Sequence, residues 1–327
     1  MPNIVLTSFC NRSCEYCFAM EASKGSDGQY IDFQEIVNIA DKICATPNKF
    51  VGLLGGEPTL HPQFHEILMY MIERGIFVSV FTNGICSDSV LNKLERLRGR
   101  GGFKYIVNSN PPSIESEQNQ VRQDIFLRRF ATLCDISVNV FNPDISLDYV
   151  RDVAQRNGLK NAKIRVGIAQ PIVGESNSYL PLESYPRAAA NIVQMAESVW
   201  DRNITVHFDC GFPLCAFTDE QLGKLTRMKA GLRFFCDMAL DFGQGLNAWS
   251  CFPMFKQCYT SYDMYEPMDQ LAGRLKERIL FLRGQQTFGL YSECRDCVYR
   301  KNEVCAGGCF SHAINKGRDK PSSSAVS

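Results

Sequence analysis

A chain of 327 residues, 45% of them apolar, can bury a sizeable core, as one barrel or as a large α/β domain with a smaller companion. Its 35 Lys and Arg balance 35 Asp and Glu, which argues against nucleic acid or another polyanion as partner. The opening Met1-Pro2-Asn3 lacks the basic region of a secretion signal, and no apolar run approaches a membrane span, so a cytoplasmic protein without a membrane partner is expected.

Asn3–Ser8 reads as a buried strand running straight into a cysteine-rich loop. Asp32 is placed to cap an amphipathic helix bearing Phe33, Ile36, Val37, Ile39 and Ile43. Lys49–Leu54 is a second strand closed by Gly55-Gly56. Phe64–Arg74 is a helix ending at Gly75, and Phe77–Thr82 a third strand stopped by Asn83-Gly84. The alternation repeats through helix Ser87–Leu97, strand Lys104–Val107, helix Gln118–Leu133 and strand Asp135–Val140. Helix Tyr149–Asn157 and strand Lys163–Ile168 follow. Six strands alternating with helices predict an α/β fold, a partial (β/α)6 TIM-like barrel with its chemistry on the loops after the strands. Those loops hold Cys10–Cys17, Gly55–Pro58, Thr82–Asn83, Asn108–Asn110 and Asn139–Asn142. From Tyr185 the pattern changes to a helix (Tyr185–Trp200), a strand (Thr205–Phe208) and cysteine-rich, loop-dominated sequence to Phe310. The expected organisation is a barrel over residues 1–200, a cysteine-rich auxiliary-cluster domain over 201–315 and a disordered tail over 316–327.

Fifteen cysteines in a reducing compartment point to metal ligands or catalytic thiols rather than disulfides. Cys10, Cys14 and Cys17 crowd the first loop, and nine more follow from Cys210 onward; Cys44, Cys86 and Cys134, between them, read as core residues. Three thiolates on one loop suit three corners of a 4Fe–4S cube with the fourth iron open. Structural zinc wants four closed ligands, and no nearby His or Cys supplies the fourth.

Cys10-Asn11-Arg12-Ser13-Cys14-Glu15-Tyr16-Cys17 resembles the cysteine loop of the radical S-adenosylmethionine (SAM) superfamily, and Gly55-Gly56-Glu57-Pro58 resembles its GGEP motif. The resemblance implies that Cys10, Cys14 and Cys17 hold the cluster that binds SAM. It also implies that Glu57 and the Gly55–Gly56 backbone hold the methionyl amine, and that Tyr16 packs near the adenine. Thr82, Asn83, Asn108 and Asn110 then sit where ribose and carboxylate contacts come from. The activity implied is reductive cleavage of SAM to a 5′-deoxyadenosyl radical that abstracts a hydrogen from substrate, with a reductant such as flavodoxin or ferredoxin.

Cys294-x2-Cys297-x7-Cys305-Ala306-Gly307-Gly308-Cys309, with Cys236, Gly245 and Cys251 upstream, resembles the SPASM auxiliary module of that superfamily. The central spacer is longer than the family's, and no cysteine follows Cys309. Cys210 and Cys215 restore the count to eight thiols, enough for two auxiliary 4Fe–4S clusters. By family topology Cys236, Cys251 and Cys309 share one cluster with Cys215 or Cys210, and Cys294, Cys297 and Cys305 anchor the other. One auxiliary cluster, as in the shortened twitch variant, is the alternative.

Asp209 and Cys258 are candidate catalytic residues, Asp209 as a base at a strand end and Cys258 as a hydrogen donor; a turn-holding carboxylate and a buried thiol are the plainer readings. The residue after Cys251 is Phe252, where sulfatase-type maturases carry an Asp. Gly243-Gln244-Gly245-Leu246-Asn247-Ala248 loosely matches a dinucleotide loop without the required flanking elements. His61 and His65 lack further ligands and read as exposed or capping residues. The expected function is modification of a peptide or amino-acid side chain, as in a peptide maturase, with the peptide presented by a separate leader-binding protein. A dehydrogenase or epimerase of a sugar or small metabolite is the alternative within the family, and a non-catalytic iron–sulfur carrier or sensor the alternative outside it.

Overall fold

In the computed structural model, residues 2–19, 30–236, 239–284 and 289–318 are described. Seven strands run parallel in chain order: β1 (Pro2–Val5), β2 (Phe50–Leu54), β3 (Phe77–Thr82), β4 (Phe103–Asn108), β5 (Cys134–Val140), β6 (Lys163–Ile168) and β7 (Thr205–Phe208). The helices that return the chain between them are α1 (Phe33–Cys44), α2 (Phe64–Glu73), α3 (Asp88–Glu95), α4 (Glu117–Arg129), α5 (Tyr149–Arg156) and α6 (Tyr185–Val199). Parallel strands need such crossovers, and the six predicted β/α repeats are present. β7 pairs in parallel with β6, Ile164 opposite Val206, so the barrel sheet runs one strand beyond the six.

The caps follow from side-chain chemistry. Asp32 accepts from the Gln34 N–H at 2.7 Å, and Ser87 and Ser116 accept from Val90 and Asn119. Alternate residues of each strand face the helices: Val51 and Leu53, Val78 and Val80, Tyr105 and Val107, Ile136 and Val138, Ile164 and Val166 are all buried in one core. The other residues line the concave face, where Ser79, Asn108 and Ser137 are small or polar and Phe81 and Ile106 are large and apolar. Asn3, Gly52 and Ser79 share a row there, and a Cβ at Gly52 would meet Asn3 Oδ1 at 2.2 Å.

The segment after β7 holds more regular structure than expected. It contains α7 (Asp219–Arg227), the strands β8 (Leu240–Gly243), β9 (Asn247–Trp249) and β10 (Tyr259–Ser261), α8 (Met268–Gly284), the single turn α9 (Val298–Lys301) and α10 (Phe310–Arg318). Thr218 and Gln221 form a capping box that starts α7. Leu271, Leu275 and Ile279, one helical turn apart, are buried along α8. β8 pairs in parallel with β1, so the cysteine-rich part continues the barrel sheet, in the order β10-β9-β8-β1-β2-β3-β4-β5-β6-β7. The Gly-rich stretch from Gly243 is the hairpin turn between β8 and β9, with Gly245 and Leu246 at positive φ, and it leads into a strand rather than a helix. α10 takes in the first residues of the segment read as a tail; residues 319–327 lie outside the described residues. No described helix is long and apolar enough to cross a membrane.

Candidate active site and thiol clusters

The first cysteine loop leaves β1 and is stitched to the end of β2. Gly56 N–H donates to Thr7 O at 2.8 Å and Glu57 N–H to Phe9 O at 2.7 Å. A Cβ at Gly55 would lie 2.4 Å from Thr7 O, and one at Gly56 2.2 Å from Phe9 O, so the two backbones approach as closely as only glycine permits. Glu57 is 1% exposed. Its Oε1 accepts from Thr59 N–H, the Thr59 hydroxyl (2.6 Å) and the Thr82 hydroxyl (2.7 Å), and its Oε2 accepts from Asn83 N–H (2.7 Å). Burial pushes this carboxyl up, and the four donors oppose it. Glu57, Thr82 and Asn83 therefore form one brace between the ends of β2 and β3. Asn83 also reaches the cysteine loop, donating from Nδ2 to Asn11 Oδ1 at 2.6 Å.

Within the loop, Cys17 N–H donates to Cys14 O and Arg12 N–H to Cys10 Sγ. Desolvation pushes the Cys10 thiol up to about 11. The Arg12 N–H opposes the shift, and the negative potential of Glu57, Cys17 and Cys14 adds to it. Tyr16 stacks on Phe141 (4.8 Å between centroids), donates to Asn110 Oδ1 and accepts from Asn108 Nδ2 at 3.1 Å. Asn110 Nδ2 lies 3.6 Å from Cys14 Sγ, so the two asparagines read from the sequence meet Tyr16 and the cysteine loop. Arg12 forms a buried ion pair with Glu115 (2.7 Å) and donates to Asn108 O at 2.8 Å. Neither partner was a sequence candidate, because nothing local joins an arginine in the loop to a glutamate beyond β4.

The concave face carries a further polar group. Arg165 on β6 pairs with Asp209 after β7, donates to Ser137 Oγ at 3.2 Å and lies over the Phe81 ring. Asn139 donates to Asn108 Oδ1 at 3.1 Å. Asp209 is thus held by a guanidinium. Cys258 lies elsewhere, fully buried in an apolar cluster with Val173, Met254, Ile279, Phe310 and Ile314; burial pushes its thiol up to about 11. His61 is a capping residue: its Nε2 meets Ile31 O at 3.0 Å and its Nδ1 accepts from Gln63 N–H.

No disulfide joins any of the fifteen cysteines among the described residues. Among the described residues no three His, Cys, Asp or Glu side chains converge as a chelate for a single metal ion. The C-terminal thiols nonetheless gather. Cys251 is held up by burial and then by Cys309, Cys210 and Cys236, and Cys215 by burial and then by Cys294, Cys305 and Cys297. The buried carboxyl of Asp241 adds to the same shift on Cys251. Thiols crowded together without a cation are costly to ionise, and iron would relieve that cost, so the donor set fits an iron–sulfur group.

The radical SAM superfamily profile matches residues 4–125, the stretch that carries the first thiol loop and the Gly55–Pro58 brace. That stretch, a little over a third of the chain, is similar to the radical SAM superfamily. The tungsten-containing aldehyde ferredoxin oxidoreductase cofactor-modifying protein of Pyrococcus furiosus is 33% identical over 94 residues, 28% of this chain and 26% of that protein. The GTP 3′,8-cyclase of Synechocystis is 33% identical over 92 residues, 28% of each chain. These matches span about a quarter of either relative's length. Over the whole chain the likeness is one of fold. SuiB of Streptococcus suis bound to S-adenosylmethionine covers 97% of this chain and 74% of its own, with a TM-score of 0.69 at 15% identity. anSMEcpe with bound AdoMet covers 96% and 90%, with a TM-score of 0.68 at 17% identity. The parallel sheet with a cysteine-rich C-terminus is the fold expected above, and a 4Fe–4S cluster and SAM are the cofactors of the superfamily whose profile residues 4–125 match.

Proposed function

We propose that this chain is a radical SAM enzyme that abstracts a hydrogen from a peptide or amino-acid side chain. The observation that carries the first half is the loop of Cys10, Cys14 and Cys17 at the C-terminal end of β1, braced by Gly55–Glu57 beside Tyr16, Asn108 and Asn110. In this reading those three thiolates hold the cluster. With SAM bound, it supplies a 5′-deoxyadenosyl radical at the expense of one electron from a flavodoxin- or ferredoxin-like reductant. The chain's own residues orient and enclose. Tyr16 and Phe141 offer a flat apolar surface for a purine, Asn108 and Asn110 offer amide donors and acceptors, and the Glu57 brace fixes the loop against β2 and β3.

The peptide half rests on the charge pattern of the concave face. Arg165 is paired with Asp209, Lys104 with Asp135 at 2.7 Å and Arg12 with Glu115, while Asn108 and Asn139 present neutral amides. A phosphorylated substrate calls for unpaired guanidinium or ammonium donors, whereas peptide groups are matched by amides. SuiB has been solved with its precursor peptide SuiA, and anSMEcpe with a peptide, on the same fold. A separate leader-binding protein would present the peptide.

The test is anaerobic. Reconstituted protein with SAM and a reductant is expected to form 5′-deoxyadenosine, and Cys14→Ala protein none. With a side-chain-deuterated candidate peptide, deuterium should appear in the 5′-deoxyadenosine. Transfer from a labelled nucleotide or sugar and not from peptide would replace the substrate half of the proposal, and formation by Cys14→Ala protein at the wild-type rate would end the first half.

A further inference from the structure

Between β6 and α6 the chain runs Pro171-Ile172-Val173-Gly174-Glu175-Ser176-Asn177-Ser178-Tyr179-Leu180-Pro181, with a proline at each end. It forms neither helix nor strand, yet it is tied down along its length. Toward α10, Gly174 N–H donates to Asn315 Oδ1 at 3.3 Å and Asn315 Nδ2 to Ile172 O at 3.2 Å. Val173 N–H donates to Pro253 O at 2.9 Å. Within the strap, Asn177 Oδ1 accepts from Ile172 N–H and its Nδ2 donates to Gln170 O. Toward the first cysteine loop, Ser178 N–H donates to Glu15 O at 3.1 Å and its hydroxyl to Glu15 Oε2 at 3.0 Å. Leu180 N–H donates to Ala169 O, and Ala169 packs with Tyr16 and Phe141.

This strap forms one side of a cavity of about 680 Å³, a size that suits a bound side chain with its flanking backbone. Three of its walls are rings. Tyr179 of the strap and His312 of α10 meet edge to face, 5.4 Å between centroids at 78°, so they make a corner. Tyr291 supplies the third ring, fixed by its hydroxyl donating to Leu182 O at 3.0 Å. Glu183 also lines the cavity, and among the described residues no Lys or Arg pairs with its exposed carboxylate. Nearby carboxylates do have cations: Glu175 has Lys256, and Glu115 has Arg12. Ring faces attract a cation, and a carboxylate beside them adds a charge-assisted hydrogen bond. Arginine and lysine, with apolar stems that pack on rings and a charged end for Glu183, match both features.

We propose that this cavity takes a cationic side chain, arginine or lysine, of a peptide and so positions a neighbouring residue of that peptide at the Tyr16 face. The strap links the two places, because Tyr179 lines the cavity while Ser178 and Leu180 reach Glu15 and Ala169. Its existing ties leave little to order when the peptide binds. The assignment deepens the peptide reading of the substrate and rests on it.

Fluorescence anisotropy of labelled pentapeptides, four glycines around one variable central residue, tests it on the anaerobically reconstituted full chain. Peptides with central arginine or lysine should bind roughly tenfold tighter than one with citrulline, which keeps the shape of arginine without its charge. Glu183→Gln and Tyr179→Leu, both at exposed positions, should each remove most of that preference, and Glu220→Gln on α7 should leave it intact. Citrulline peptide binding as tightly as arginine peptide, or a preference that survives Glu183→Gln, would overturn the assignment. Arginine amide alone binding as tightly as the peptide would give the cavity to a small cation instead. Protein that shows the preference yet transfers no deuterium from peptide to 5′-deoxyadenosine would refute the proposed function and keep the cation site. Transfer from peptides that show no such preference would do the reverse.

Discussion

Glu57 shows how a residue recognised by motif acquires a second, structural job. Its carboxylate satisfies Thr59, Thr82 and Asn83 with no solvent to take over any of the bonds. Glu57→Gln would set an amide NH2 against these donors, at a cost of roughly 1–3 kcal/mol per group left unsatisfied. Metal-free Glu57→Gln protein should thus unfold at lower urea than wild type before SAM is ever added, whereas a carboxylate serving only the cosubstrate would leave that midpoint unchanged. His61 gives a pH-dependent counterpart. Burial lowers its pKa, so the folded state keeps it neutral while the unfolded chain protonates it below about 6.5. Its contribution to stability is complete above that pH and is lost as pH falls through 6.5 toward the depressed folded value. Asp241, pushed by burial up to about 7, works in the opposite direction, so the quantity to measure is wild type minus His61→Gln. That difference should shift against wild type between pH 7.5 and 5.5, with a slope no steeper than about 1.4 kcal/mol per pH unit.

Local pattern carried much of the secondary structure, because Phe77–Thr82 is a mostly apolar run and Lys163–Ile168 alternates Ile164, Val166 and Ile168 with other residues, and the limits of both agree with the reading. It failed after β7 for an identifiable reason. The cysteines there are interleaved with ordinary helix signals, the one-turn spacing of Leu271, Leu275 and Ile279 in α8 and the Thr218–Gln221 capping box, so composition and periodicity point in different directions. What no local pattern holds is the join between distant loops. Arg12, in the first cysteine loop, and Glu115, between β4 and α4, have side chains only 4% and 6% exposed. Breaking one side of such a pair leaves a buried charge alone and costs about 3–5 kcal/mol, while removing both costs much less. Glu115→Gln should therefore destabilise the metal-free protein strongly, and Arg12→Gln in the same chain should recover part of the loss. A urea denaturation series on the two single variants and the double tests this; additive losses would show that the pair contributes nothing as a pair.

At the scale of the molecule, the barrel and the cysteine-rich part are joined by strand pairing and by side-chain hydrogen bonds. β8 hydrogen-bonds to β1 along the sheet. Lys42 on α1, 7% exposed, sends its ammonium into the carbonyls of Asp263, Met264 and Glu266 just ahead of α8. Glu35 accepts from the Gly245 and Leu246 N–H groups at the β8–β9 turn, and Asn38 donates to Met264 O. A division near residue 200 follows the composition but not the hydrogen bonds, since β7 belongs to the barrel sheet and β8–β10 extend its other edge. Bonding across that line predicts a single cooperative unfolding transition rather than two. The chain supplies its own reporters: Trp200 lies at the end of α6 on the barrel side, and Trp249 lies in β9. Trp249→Phe leaves Trp200 to report the barrel, and Trp200→Phe leaves Trp249 to report the C-terminal part. Each fluorescence curve in urea should coincide with the far-ultraviolet circular dichroism of the same variant. Lys42→Met should move both signals to lower urea together, because the carbonyls it abandons belong to one half and the helix that carried it to the other. Curves that separate, with the Trp249 signal lost first, would mean that the two parts unfold independently.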